Sequence, residues 1–285
     1  MSRASLTTYL DVAARAAQQA GTLLAARMGH PRTVQTKRSE IDLVTEIDRA
    51  SERMLHDAIR RRFPDHGFQG EERTQTNPDA PFQWIVDPLD GTTNFVHGVP
   101  VFAISMGLTY QGDLLVGVIH DPTQRETFTA IKGAGAWLNG TRIHASRIRR
   151  LAQGLLSTGF SANFRTNPTP YLRWFAALQS RCHAVRRMGC TTLSLAYVAC
   201  GRQDGFYEQD LMSWDIAAGV LLVQEAGGRV TDFQGHPLRR LEDGRVVASN
   251  GHIHQEMLTC LANPAHRRRS PHTAVLGRAP RSFRR

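Results

Sequence analysis

Two aspartates three residues apart, Asp87 and Asp90, close an apolar run in the stretch Trp84-Ile85-Val86-Asp87-Pro88-Leu89-Asp90-Gly91-Thr92-Thr93-Asn94. A strand end is a common place for a ligand. Pro88 fixes its own φ and lacks an N–H, and Gly91 tolerates a sharp or left-handed turn, so both carboxylates can project to one side. Carboxylates held that close repel unless a cation joins them. Only oxygen donors are on offer, which suits Mg²⁺ or Mn²⁺ and argues against zinc. Gly70-Glu71-Glu72 adds acids in a loop after Pro64. The Gly91 to Asn94 stretch supplies backbone N–H groups and a hydroxyl, a site for phosphate if a helix starts there. The same residues also suit a turn followed by a helix cap. A second group, Glu208 and then Ser213-Trp214-Asp215-Ile216-Ala217-Ala218-Gly219, puts Asp215 at the start of an apolar helix, where it reads equally as a cap.

The elements that must position these acids show in the apolar periodicity. Leu6, Leu10, Ala13, Ala17, Ala20, Leu24 and Met28 fall at three- and four-residue spacing, which predicts a long amphipathic helix ended by Gly29 and Pro31. Thr45-Glu46-Ile47-Asp48 has the form of a capping box. The helix it opens is expected to carry Met54, Leu55, Ala58 and Ile59 inward and to stop at Pro64. Short strand-like runs follow at 84–86, 101–108, 114–119 and 126–131. Helical patterns at 169–181, 190–200 and 214–226 then alternate with strand candidates at 155–158, 204–208, 228–232 and 245–248. Such a mixture implies layered packing with helices covering sheets.

The chain has 285 residues, enough for one large or two modest domains and an ample core. Hydrophobic residues make up 41 % and charged residues 21 %, which excludes a disordered chain. No apolar run is long enough to span a membrane. The net charge of +10 points to nucleic acid only until it is mapped. Residues 264–285 hold seven of the 35 basic residues and no acid, leaving 28 against 25 acids, or +3, in the rest. That tail cannot bury enough apolar surface to order itself alone. The four cysteines show no C-x-x-C pair, so neither a zinc site nor a disulfide framework is indicated and buried thiols are expected. Asp11 and Arg15 interrupt any leader-like segment, making the cytoplasm the default location.

Taken together, these stretches resemble the inositol monophosphatase family, within the lithium-sensitive, magnesium-dependent phosphatases. The resemblance is carried by Asp42-Leu43-Val44-Thr45-Glu46-Ile47-Asp48, Gly70-Glu71-Glu72, Trp84 to Asn94, and Trp214 to Gly219 with Glu225-Ala226-Gly227-Gly228. It implies an α+β fold, a layered αβαβα sandwich, divided near residue 145 into halves 1–145 and 146–263, with 264–285 as a disordered basic tail. It implies that Glu71, Asp87 and the Leu89 carbonyl hold a first Mg²⁺, and Asp87, Asp90 and Asp215 a second, with Glu71 also touching a third, looser ion. Gly91 and Thr92 would take the phosphate, and Glu208, backbone near Gly189-Cys190-Thr191, and Asp215 the sugar hydroxyls. Glu71 and Thr92 would orient a metal-activated water, with Asp48 as the threonine's proton partner. Lys37 matches a lysine on the family's mobile metal loop.

The reaction so implied is hydrolysis of inositol-1-phosphate or a similar polyol monophosphate, with lithium sensitivity and a homodimer as further expectations. Many family members read Gly-Thr-Ala or Gly-Ser-Ala where this chain has Gly189-Cys190-Thr191, so the wall of the sugar pocket is expected to be bulkier and more polar. Histidinol-phosphate and fructose-1,6-bisphosphate phosphatases share the metal core and are the alternatives. From another class comes nucleic-acid or ribonucleoprotein binding through the arginine-rich tail. His252-Ile253-His254 reads as a late strand or turn without a site, and Arg147, Arg149, Arg150, Arg186 and Arg187 as solvated faces.

Overall fold

The structure, a computed structural model, describes residues 3–31, 33–36, 43–72, 74–238 and 240–264. Lys37, Asp42 and residues 265–285 of the basic tail lie outside the described residues. Among those described, the helices in chain order are α1 (Arg3–Arg27), α2 (Glu46–Arg62), α3 (Thr92–Val96), α4 (Thr169–Gln179), α5 (Thr191–Ala199), α6 (Ser213–Glu225) and α7 (His254–Ala262). They sandwich two sheets.

An eight-stranded sheet is built from strands between Gly67 and Ile143, paired antiparallel except where Gly67–Gly70 runs parallel to Phe82–Asp90. A five-stranded sheet follows in the order Ala184–Arg186, Leu155–Thr158, Gly205–Gln209, Arg245–Ser249, Arg229–Thr231, with its first three strands parallel. α1 and α2 cover the outer face of the larger sheet, α5 and α6 fill the space between the sheets, and α4 and α7 cover the smaller sheet. The layers run αβαβα, as the family resemblance implies. Leu6, Ala13, Ala17, Ala20 and Leu24 of the α1 stripe are buried against the larger sheet, with Leu10 and Met28 partly buried beside them. On α2, Leu55 and Ile59 are buried, but Met54 is 40 % exposed. The face turned inward carries Asp48, Ser51 and Glu52 beside Leu55 and Ile59, and Met54 lies off it.

The middle layer sets the distance between the two groups of acids. α6 lies so close to the larger sheet that a Cβ on Gly117 would stand 2.9 Å from the Ala218 carbonyl oxygen, and one on Gly107 would stand 2.7 Å from the Ala217 Cβ. Backbone cannot swing aside as a side chain can. Gly117→Ala is therefore expected to cost about 1–3 kcal/mol of stability, measured as a lowered denaturation midpoint. A wild-type midpoint would show that the layer yields freely.

Candidate active site

The strand Phe82–Asp90 pairs in register with Ala103–Tyr110 as far as Asp87 opposite Ser105, and resumes with Asp90 opposite Ala103. Three residues on one strand thus span two on the other. Residues three apart on a regular strand face opposite ways, so this bulge turns Asp87 and Asp90 to one face. That face meets α6, because the Ser105 hydroxyl donates to the Trp214 carbonyl at 3.4 Å. Asp87 closes its own turn by accepting the Leu89 N–H at 3.0 Å, and the Ser51 hydroxyl of α2 donates to the Pro88 carbonyl at 2.9 Å. The sharp corner after Asp90 needs Gly91, whose φ of 96° is left-handed and whose missing Cβ would stand 2.9 Å from the Val101 carbonyl oxygen. A helix does start there, and its first N–H groups have no partners within it.

Asp48 links this corner to α2. Thr45 caps the helix, accepting the N–H groups of Ile47 and Asp48, while the Asp48 Oδ2 accepts the Thr45 N–H at 2.8 Å. The other oxygen, Oδ1, accepts the Thr92 hydroxyl at 3.1 Å, and that hydroxyl also stands 3.1 Å from the Leu89 carbonyl oxygen. Glu71 follows the strand Gly67–Gly70 and donates its N–H to the Val86 carbonyl at 3.1 Å. Its carboxyl lies near enough to that of Asp87 to raise the Asp87 pKa.

The other acids come from the middle layer and the smaller sheet. Asp215, in the first turn of α6, accepts the Met212 N–H at 2.7 Å. Asp90 reaches a hundred residues along the chain, accepting the Thr192 N–H at 2.6 Å and the Cys190 thiol at 3.2 Å. Glu208 ends the strand Gly205–Gln209 and accepts the Thr191 hydroxyl at 3.0 Å. Asp90, Thr93, Asn94, Cys190, Thr191 and Glu208 line one cleft of about 640 Å³. Cys190 is buried against Asp90, so the departure at this position alters the floor of the cleft rather than adding an exposed thiol.

Electrostatics join the groups. Burial pushes the Asp87 pKa well up, and the charges of Glu71, Asp90 and Asp215 push it further. Asp215 is raised in the same way, by burial and then by Asp90 and Glu71, against the pull of the Met212 N–H. Burial also raises Asp90, opposed by the Thr192 N–H. Glu208 is pushed up to about 8, mainly by burial, against the Thr191 hydroxyl. Among the described residues no group of three or more His, Cys, Asp and Glu side chains stands in a geometry that could hold a metal ion. Asp90 and Asp215 each turn one oxygen to a backbone N–H, that of Thr192 and that of Met212. The donor chemistry nonetheless fits a hard divalent cation: all oxygen, anionic and mutually repelling.

Two positioning residues escaped the sequence reading. Glu52, buried on α2, accepts the N–H groups of Glu72 at 2.7 Å and Thr74 at 3.1 Å, and so pins the loop that carries Glu71. It falls four residues after Asp48, and that spacing on one helix face was the available signal. Glu52→Gln keeps the size but turns a donor toward one of those N–H groups; about a tenfold loss of activity is expected, and full activity would show that the loop holds itself. Asn94 donates its side-chain amide to the Val101 carbonyl at 2.8 Å and the Met188 carbonyl at 2.9 Å, tying α3 to the segment before α5. The histidine run differs from expectation only in its element, a helix start where a strand or turn was expected. His254 opens α7, with its ring between Thr231 and Ser249, and makes no site with His252.

Comparison with known proteins bears on the family and the fold. The profile of the inositol monophosphatase family matches residues 5–267. The chain is 43 % identical over 261 residues to the Nus factor SuhB of Pseudomonas aeruginosa, covering 88 % of this chain and 95 % of that protein. It is 40 % identical over 266 residues to the inositol-1-monophosphatase of Rhizobium meliloti, covering 93 % and 98 %. An inositol monophosphatase structure from Anabaena superposes with a TM-score of 0.83 at 40 % identity, covering 91 % of this chain and 97 % of that one. No described helix is long and apolar enough to cross a membrane. Fold and sequence profile thus converge, and the chain belongs to the inositol monophosphatase family.

Proposed function

We propose that the protein is a Mg²⁺-dependent phosphomonoesterase that hydrolyses inositol-1-phosphate or a similar polyol monophosphate to the free alcohol and phosphate. The observation that carries this reading is the set of Asp87, Asp90 and Asp215 with Glu71 beside them: burial raises the pKa of all three aspartates, and the negative charge of Glu71 and Asp90 raises Asp87 and Asp215 further. Glu71, Asp87 and the Leu89 carbonyl would hold one cation, and Asp87, Asp90 and Asp215 another; Mg²⁺ or Mn²⁺ suits both, and Glu71 would also touch a third, looser ion. Cations bound there supply charge for the phosphate oxygens and make a coordinated water more acidic.

The rest falls to the chain's own groups. Backbone N–H groups of Gly91 and Thr92 receive the phosphate. Glu71 and the Thr92 hydroxyl orient the attacking water, and Asp48 takes up a proton along the hydrogen bond it already makes to Thr92. Thr191, Asp215 and Glu208 hold the polyol hydroxyls. With its pKa near 8, Glu208 is largely protonated at neutral pH and donates as well as accepts. Lithium inhibition, a homodimer and a cytoplasmic location belong to the same reading.

Phosphate release from inositol-1-phosphate, fructose-1,6-bisphosphate and histidinol phosphate in the presence of Mg²⁺ tests it. The polyol monophosphate is expected to be turned over best, and no release from any of the three with Mg²⁺ or Mn²⁺ would refute the proposal. The name Nus factor given to relatives favours a second reading, association with nucleic acid or a ribonucleoprotein through the arginines of 264–285. Such binding should weaken steeply with salt and vanish when 264–285 are deleted, with phosphatase activity retained. Binding indifferent to the deletion would count against it.

A further inference from the structure

The cleft that holds Glu208 and Thr191 is also walled by Phe160, Phe164 and Arg187, which the proposed chemistry leaves unused. Phe160 and Phe164 stack with centroids 4.7 Å apart and planes at 12°. The Arg187 guanidinium lies over the Phe160 ring, 5.1 Å from its centroid. With Phe164 stacked on it and the guanidinium over it, the Phe160 ring acts as a platform for the cation. Arg187 has no ion pair and no side-chain hydrogen bond to a described residue. Its charge nevertheless reaches Glu208.

The wall itself is clasped in place. The Tyr171 hydroxyl donates to the Asp210 Oδ2 at 2.5 Å and the Ser161 hydroxyl to the same oxygen at 2.8 Å. Asp210, two residues beyond Glu208, is held at a left-handed φ of 63°. The segment bearing Phe160 and Phe164 is thereby fixed to the strand bearing Glu208. A guanidinium seated on such a wall loses less freedom on meeting a ligand than a free surface arginine does. Its planar fork matches a carboxylate or a phosphate with two hydrogen bonds. A polyol monophosphate has one anionic group, and Gly91 and Thr92 receive it, so that substrate leaves Arg187 without a counterpart.

We infer that Arg187 is a specificity residue that favours phosphate esters bearing a second anionic group, carboxylate or phosphate, on the alcohol. The inference rests on the phosphatase reading and adds to its substrate class: inositol-1-phosphate stays the ester expected to be turned over best, and Arg187 raises turnover of doubly anionic esters relative to it. kcat and KM are to be measured with Mg²⁺ for the wild type, Arg187→Gln, Arg187→Lys and Phe160→Leu on inositol-1-phosphate, fructose-1,6-bisphosphate and 3-phosphoglycerate. The quantity read is kcat/KM for each doubly anionic ester divided by that for inositol-1-phosphate. Arg187→Gln is expected to lower this ratio at least tenfold, chiefly through KM, for one or both esters, and the ester affected tells phosphate from carboxylate. Arg187→Lys should recover part of the ratio, and Phe160→Leu, which keeps the charge but removes its platform, should lower it in the same direction. A ratio within threefold of wild type for both esters in Arg187→Gln overturns the inference. So does a wild type that hydrolyses inositol-1-phosphate and neither of the others, with the phosphatase reading left standing; hydrolysis of none of the three sinks the reading itself.

Discussion

Asp90→Asn and Asp215→Asn are each expected to lower Mg²⁺-dependent phosphate release by about a thousandfold or more, while Asp87→Asn, equally inactive, makes the metal-free protein more stable. The loss follows from removing one anionic oxygen donor from a set that electrostatics binds into one unit. The gain follows from the sign of the shift. A carboxyl whose folded pKa lies above its unfolded value resists ionisation in the fold, so at neutral pH its negative charge works against folding. Asn keeps the acceptor for the Leu89 N–H and removes the charge. With chelator present, a rise of roughly 2–4 °C in melting temperature is expected, equivalent to about 1 kcal/mol for a chain of this size. Added Mg²⁺ should stabilise the wild type and leave Asp87→Asn nearly unmoved. Wild-type turnover in the Asp90 and Asp215 variants, or a less stable Asp87→Asn under chelator, would remove the basis for a shared cation site.

Acid is expected to weaken the fold through His254. The ring is fully buried, with Nε2 2.9 Å from the Thr231 hydroxyl and Nδ1 2.9 Å from the Ser249 hydroxyl. Burial, and then the charge of Arg229, lower its pKa from 6.5 to about 4. Between those values the unfolded chain takes a proton that the folded one refuses, so stability present above pH 6.5 is lost as pH falls toward 4. The shift corresponds to about 2 kcal/mol by pH 5 and about 3 kcal/mol at the limit. The raised carboxyls change stability in the opposite direction over this range, so the effect is isolated by difference. Urea midpoints at pH 7.5 and pH 5 are compared for wild type and His254→Gln, and the wild type should lose about 2 kcal/mol more than the variant. Parallel losses in the two proteins would assign acid sensitivity elsewhere.

The long helices and the acid-bearing strand were legible because they repeat. α1 shows its stripe over seven turns, Thr45 and Asp48 spell out their cap, and Phe82–Asp90 runs apolar into the two aspartates. Strands such as Gly135–Leu138, Thr141–Ile143 and Ala184–Arg186 are too short to show a period, and they exist because a neighbouring strand offers hydrogen bonds. The same holds around the candidate site. The acids and their spacing are local facts, whereas the hold of Glu52 on the loop after Glu71, the tie from Asn94 to Met188 and the seat of Arg187 on Phe160 are contacts between distant segments. A bulge of one residue decides that Asp87 and Asp90 share a face, and it is defined only by what Ala103 and Ser105 do opposite.

One oxygen of Asp48 closes the start of α2 and the other receives the Thr92 hydroxyl. A loss-of-function allele at this codon therefore mixes two phenotypes, slow turnover and a shortened lifetime of the folded protein in the cell. Suppressors that strengthen α2 elsewhere would rescue abundance and leave the catalytic defect exposed.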